Sequence, residues 1–228
     1  MDILKNLDIG TIAIQFAVLL FSLSIHEAAH AWMADRLGDY TARYLGRVTI
    51  NPIPHIDPIG TILFPLLQLI FPNFLLIGWA KPVPINSIHL KNPHRDQIYI
   101  SLAGPASNLL AAGIAFGLLI TLKLTTPEAR GFIDGGVLIS GSVWTPILMI
   151  VYSVMMINLV LAFFNIIPIP PLDGHWILYG VLPGRAAAAL ERISPYGFII
   201  LYALMVMGVF RIILSPIVRI IITMLQAF

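Results

Sequence analysis

The sequence predicts an all-α polytopic membrane protein of about four to five transmembrane helices, with a re-entrant or hairpin segment and a short β element. Composition is the first reason. Of 228 residues, 58% are hydrophobic and only 11% charged, with a mean hydropathy of +0.91. A soluble domain needs about a quarter of its residues charged to cover its surface, and disorder needs low hydrophobicity with high net charge. Both classes are excluded. The second reason is a series of charge-poor runs near the ~20 residues that cross a bilayer. The third is what is missing. With no cysteine there is neither a disulfide framework nor a thiolate ligand, so any transition metal falls to His, Asp or Glu. A formal charge of +2, thinly spread, leaves no nucleic-acid footprint.

Ile9–Met33 supplies the first span, with Glu27 as its sole formal charge. It is too long for a signal-peptide core and lacks a small-residue cleavage site, so it is expected to stay in the chain. In the connector Asp35–Pro58, Arg47–Ile50 leads into Asn51-Pro52-Ile53-Pro54 and predicts a short strand ended by prolines. Ile59–Ala80 is charge-free but broken by Pro65, Pro72 and Asn73. After the connector Lys81–Gln97, Tyr99–Leu122 is a clean crossing apart from Pro105 near its start. Gly113 and Gly117, with Gly104, Ala111 and Ala112, offer it a small-residue face for close packing. Gly135–Leu172 is the longest uncharged run, Val143–Ile167 being its most helix-like part. Ser194–Phe210 makes a final span, and the tail with Arg211, Pro216 and Arg219 is expected to kink or lie at the interface. No repeat or dividing linker is visible, which predicts one membrane-embedded domain over residues 1–228.

Chemistry concentrates in the first span, at His26-Glu27-Ala28-Ala29-His30. Four residues advance a helix by about 400°, so both imidazoles share one face and can bind a single zinc ion. Glu27 is placed to act as a general base on water. A carboxylate at membrane depth costs about 2.5 kcal/mol or more, which favours function over a His–Glu cluster that only packs helices. A catalytic zinc takes three protein ligands. The run Asn165-Ile-Ile-Pro168-Ile-Pro170-Pro171-Leu-Asp173-Gly174-His175 breaks the fourth segment, because its prolines cannot continue a helix. The chain is expected to become extended there and to present Asp173 as the third ligand. The alternative is a turn Asp capping the next helix.

HEAAH in a membrane helix, followed by Asn-x-x-Pro-x-Pro-x-Leu-Asp-Gly, resembles the site-2 protease family of intramembrane zinc metalloproteases, in a compact branch without PDZ or CBS domains. Ala103-Gly104-Pro105-Ala106-Ser107-Asn108 resembles a further signature of that family. The resemblance implies zinc held by His26, His30 and Asp173, one ion per chain, with Glu27 activating water. It implies that Asn165 holds the substrate backbone or the oxyanion, and that the substrate is a membrane protein cut in extended conformation within the lipid bilayer.

HEAAH lies late in the first span and Asp173 just beyond the fourth segment, so the two helices must run parallel. Tyr99–Leu122 supplies the one crossing needed between them, and Ile59–Ala80 must then re-enter. Arg36, Arg43, Arg47, Lys81, Lys91, Arg95, Arg185 and Arg192 fall on the metal-proximal face, against Lys5, Lys123 and Arg130 on the other. The positive-inside rule turns the site toward the cytoplasm, in the plasma membrane. Val48–Ile50 or Ile166–Pro171 could hold an extended substrate by strand addition. His55 and Asp57 fit a hydrogen-bonded turn, with a second metal or gating site as the alternative. His89, His94 and Asp96 read as interfacial, His175 as either a neighbour of the metal ligands or an exposed helix-start residue, and Trp32, Trp79 and Trp176 as interface anchors. The competing function is an ion or metal transporter lined by the same His/Glu/Asp cluster.

Overall fold

The computed structural model describes residues 9–70, 78–135 and 142–228. Helix α1 (Ile9–Arg36) has no interior proline and ends on Gly38, whose φ is +108°. Asp39 N–H donates to Ala34 O at 2.9 Å and Gly38 N–H to Asp35 O at 3.3 Å, the paired bonds of a glycine-terminated helix. A short helix α2 (Thr41–Tyr44) follows. Asp57 then caps a π-helical turn, Pro58–Leu63, by accepting from Ile59 and Gly60 N–H, and α3 (Phe64–Ile70) continues it.

Helix α4 (Pro93–Thr125) is the longest. Pro93 takes the first helical position, where its missing N–H costs nothing, and Asp96 reaches back to Asn92 N–H at 2.9 Å. Next come α5 (Pro127–Gly135) and α6 (Trp144–Asn165). Beyond them lie α7 (Asp173–Val181), α8 (Gly184–Ile193), α9 (Gly197–Val206) and α10 (Val209–Ala227). Among the described residues, five stretches are long and apolar enough to cross a membrane: α1, α4, α6, Gly184–Val206 and α10.

Helix α4 is the central post, packed against α1, α6 and α7. Its partners fix the directions. Ile100 meets His30, while Asn108 meets His26 and Ser22, so α1 and α4 are antiparallel. Far from that meeting point, Leu119, Ile133, Leu148, Met155 and Leu225 form an apolar core shared by α4, α5, α6 and α10. Leu172, Leu201 and Phe210 form another under the turn after α6.

Several expectations are corrected. No strand occurs among the described residues. At 47–50 the chain bends because Thr49 Oγ1 accepts from Asn51 N–H at 3.1 Å and Arg47 N–H from the turn goes to Ala42 O at 2.8 Å. Those groups are spent locally, not on a ladder. Nor does the chain extend after α6. Ile169 N–H donates to Ile167 O at 2.8 Å and Leu172 N–H to Ile169 O at 2.9 Å, coiling the Pro-rich run into successive turns. The tail forms α10, with Pro216 inside it. Gly113 and Gly117 face open space; the packed face of α4 is Gly104, Asn108, Ala112 and Ala115. The Trp79 ring lies on Gly60 and packs edge-on to Phe64 and Phe198.

The tip of the 59–80 segment lies outside the described residues, but its two ends meet. Trp79 N–H donates to Gly60 O at 3.2 Å and Thr61 Oγ1 to Trp79 O at 2.7 Å.

Lys123, buried in α4, ties the bundle's other end together. Its ammonium donates to the Gln226 carbonyl at 2.7 Å and the Leu225 carbonyl at 3.3 Å, and pairs with Asp134 at 2.6 Å. Lys123→Met should lower stability in detergent by about 1.5–3 kcal/mol, the worth of charge-assisted hydrogen bonds. A melting-temperature series would check this, and an unchanged value would remove Lys123 as a clasp.

Candidate metal centre and active site

One turn of α1 separates His26 from His30, and the two Nε2 atoms lie 3.0 Å apart. Asp173 opens α7 and joins them, with Oδ2 at 3.0 Å from His26 Nε2 and Oδ1 at 3.2 Å from His30 Nε2. The three ligand atoms lie within 4.8 Å of one another, and both histidines are buried. Two glycines make this approach possible. A Cβ on Gly174 would sit 2.0 Å from the Ile166 carbonyl oxygen, so only glycine lets α7 start against the turn that delivers Asp173. A Cβ on Gly104 would sit 2.4 Å from His30 Nε2 and 2.6 Å from His26 Cε1, so α4 forms the floor beneath both rings.

The outer ring nitrogens are engaged. His30 Nδ1 lies 2.6 Å from the Ile100 carbonyl and His26 Nδ1 2.6 Å from Asn108 Oδ1. Both partners only accept, so each Nδ1 carries a proton, which leaves each Nε2 as the nitrogen that can offer a lone pair to a metal. Asp173 adds carboxylate oxygens, one of which, Oδ2, has no hydrogen-bond partner. Two imidazole nitrogens and a carboxylate thus converge on one point, an arrangement that a cation stabilises. Nitrogen, nitrogen and carboxylate oxygen without sulfur is a donor set that zinc accepts, and the residues fit the ion.

Glu27 points to a different neighbour. Its Oε2 accepts from Val83 N–H at 3.0 Å. Residues 78–86 form neither helix nor strand, and they cross the site as a strap pinned at alternate positions from Trp79 to Val83 and again at Asn86. Trp79 bonds the π-helical turn. Lys81 N–H donates to His55 O at 2.9 Å while Arg47 donates to Lys81 O. Val83 bonds Glu27, and Asn86 N–H reaches Asp39 at 2.6 Å. The alternate residues Pro82 and Pro84 have no N–H, so the strap's other edge is poor in donors. Burial pushes the His55 imidazole below its usual range, opposed by its bond to the Thr49 carbonyl and reinforced by the Arg47 charge. At Asp39 burial works upward, but the Thr41 hydroxyl, the Asn86 and Thr41 amides and His89 hold the carboxyl below the ordinary carboxylate range.

Asn165 stands apart from this cluster. It ends α6 and its Nδ2 donates back to the Leu161 carbonyl at 2.9 Å. Among the described residues no hydrogen bond joins it to His26, His30 or Asp173. Asp57 forms the expected capped turn. His175 is buried and meets the Ser194 hydroxyl at 2.8 Å, which makes it neither exposed nor bonded to the ligands. His89 pairs with Asp39 at 3.2 Å, and His94 stacks on Tyr179. Sequence reasoning gave no individual role to Asn108, Asn158, Val83 or Arg47. Only Asn108 carried a signal, through the Gly104–Asn108 pair at helical spacing.

The model of peptidase family M50 matches residues 14–208. The chain belongs to that family, the site-2 protease family of membrane zinc metalloproteases. Curated relatives agree. YwhC of Bacillus subtilis is 37% identical over 198 residues, covering 87% of this chain and 82% of its own. Rip2 of Mycolicibacterium smegmatis is 29% identical over 200 residues, covering 87% of this chain and 68% of its own. Both are named as candidate zinc metalloproteases. No solved structure gives a significant match. The protein is a zinc-dependent peptidase and an integral, multi-pass membrane protein.

Proposed function

We propose that His26, His30 and Asp173 hold one zinc ion and that Glu27 works beside it, cutting membrane-spanning substrates near the cytoplasmic ends of their membrane segments. The observation that carries this is the convergence of two imidazole nitrogens and a carboxylate beside a glutamate whose Oε2 accepts from Val83 N–H. The family assignment argues against the ion-transporter reading.

When bound, zinc supplies Lewis-acid polarisation of the scissile carbonyl and of the attacking water. Val83 N–H holds Glu27 Oε2, so Oε1 is the oxygen that takes the proton from water. The water oxygen bonds to the carbonyl carbon, the C–N bond breaks, and Glu27 passes the proton to the leaving amine. Asn165, on release from Leu161, would donate its amide to the substrate backbone or the developing oxyanion. The substrate must unwind there, because a helix uses its own carbonyls. One domain spanning the chain, residues 1–228, performs this in the plasma membrane.

The depth follows from α1. His26 lies 17 residues past Ile9, about 26 Å along the helix, near the end that carries Arg36 and faces Arg43, Arg47 and Lys81. The positive-inside rule makes that end cytoplasmic. Mass spectrometry of cleavage products tests the reading, with cuts expected near the cytoplasmic end of the substrate helix and faster cutting with Gly or Asn placed there. Cuts at the opposite face would overturn it. The 59–80 segment then enters and leaves on that same side. Single cysteines replacing Pro58 and Lys81, both exposed, should react with an impermeant thiol reagent from one face, and opposite-side labelling would refute the re-entrant path.

A further inference from the structure

We propose that Ser22, Asn158 and Asn108 act together as positioning residues that lock His26 with its proton on Nδ1, and thereby set how tightly the centre holds its metal. The proposal rests on the zinc reading above. It starts from a question of orientation, because an amide's oxygen and nitrogen can be exchanged by a flip. Here the surroundings leave no choice.

One end of the Asn158 amide lies 2.8 Å from the Val154 carbonyl and 2.8 Å from Ser22 Oγ. A carbonyl only accepts, so this end is Nδ2. The other end, Oδ1, faces Asn108 at 2.7 Å and can only accept, so the Asn108 atom there is Nδ2. That same nitrogen reaches the Ser22 carbonyl at 3.2 Å, again an acceptor. Each amide has now used both of its hydrogens. Asn108 Oδ1 is left for His26 Nδ1 at 2.6 Å, and the only proton available to that bond is the imidazole's. The polarity of the chain runs from two main-chain carbonyls, through two amides, to one ring nitrogen.

Burial makes the direction hard to reverse. Ser22, His26, Asn108 and Asn158 are 2%, 5%, 0% and 1% exposed, so water cannot substitute for a missing partner. The network also links α1, α4 and α6, and polar side chains between membrane helices commonly serve as glue. What glue does not explain is its ending on one metal-facing ring. His30 needs no such chain, since the main-chain carbonyl of Ile100 fixes it. The two ligands therefore depend on different things: His30 on backbone, His26 on side chains of neighbouring helices.

Partners that orient a ligating histidine typically contribute 10–100-fold to metal affinity. Zinc competition with a chromogenic chelator, on purified full-length protein, should show Asn108→Leu weakened about 10–100-fold. Asn158→Leu should weaken binding less, because the freed Asn108 amide can still present its oxygen part of the time. His30→Ala is the control for the centre itself. If it loses zinc while Asn108→Leu and Asn158→Leu bind as the parent does and merely melt lower, the residues are glue and the relay is overturned. If His30→Ala keeps its zinc, the metal reading falls and takes the relay with it. Should the leucine variants fail to fold, nitrogen NMR of histidine-labelled, zinc-loaded parent protein still decides. Coordination through His26 Nε2 with a proton on Nδ1 is expected, and coordination through Nδ1 would refute the proposal.

Discussion

Glu27→Gln is expected to keep its zinc and to lose peptidase activity by about 10²–10⁴-fold, the usual contribution of a positioned general base. The separation of the two properties comes from geometry. His26, His30 and Asp173 converge on one point, whereas Glu27 Oε2 is taken by Val83 N–H. A glutamine can accept that same bond through its amide oxygen, so the strap stays pinned and the site keeps its shape. What it cannot do is take a proton from water. The loss should appear in single-turnover cleavage of a model membrane peptide as a slower chemical step. Metal analysis supplies the second axis, with His26→Ala as the metal-poor comparison. A Glu27→Gln protein as poor in zinc as His26→Ala would make Glu27 a ligand and refute the assigned division of labour.

The parts of this molecule that a reader of the sequence could see were those encoded within one turn or one span. His26 and His30 are four residues apart, so helical geometry alone puts them on one face, and charge-poor length marks α1, α4 and α6. Asp173 was visible because prolines end α6 and leave a carboxylate beside a glycine. What escaped were contacts across large sequence separations. Nothing in residues 22, 108 and 158 individually says that three helices bring them together. The strap hides for a similar reason, since its alternate bonding to Gly60, His55 and Glu27 depends on where the fold carries the chain. The short strand failed because strand-forming residues at 47–50 have no neighbouring edge, and Thr49 spends its hydroxyl on a local bend. The run after α6 misled in another way. Prolines stop a helix, but they do not oblige the chain to extend, and here turns bring Asp173 back toward α1.

Gly104→Ala should strip the centre of zinc and abolish activity, though it adds one methyl group to the middle of a helix. The reason lies on one ridge of α4. Ile100, Gly104 and Asn108 follow at four-residue intervals, the outer two holding the imidazoles by Nδ1 at 2.6 Å each. The rings therefore lie across Gly104. A Cβ there would meet His30 Nε2 at 2.4 Å, His30 Cε1 at 2.5 Å and His26 Cε1 at 2.6 Å. Ordinary contact begins at 3.4 Å, so rings and helix must part by about 1 Å, well beyond the ~0.2 Å tolerance of a metal–ligand bond. Neither ring can swing aside without giving up the bond that fixes its tautomer. A misplacement of 1 Å costs about 10²-fold in rate even where a site survives, and loss of the metal leaves less. Gly113→Ala is the matched control, on the same helix with nothing within 4 Å of the new Cβ. It should retain zinc and activity, and even gain a little stability from the better helix former. Zinc content by elemental analysis of both variants, beside the parent, measures the difference. Equal zinc in Gly104→Ala and the parent would mean that the two imidazoles are not seated on α4 as described.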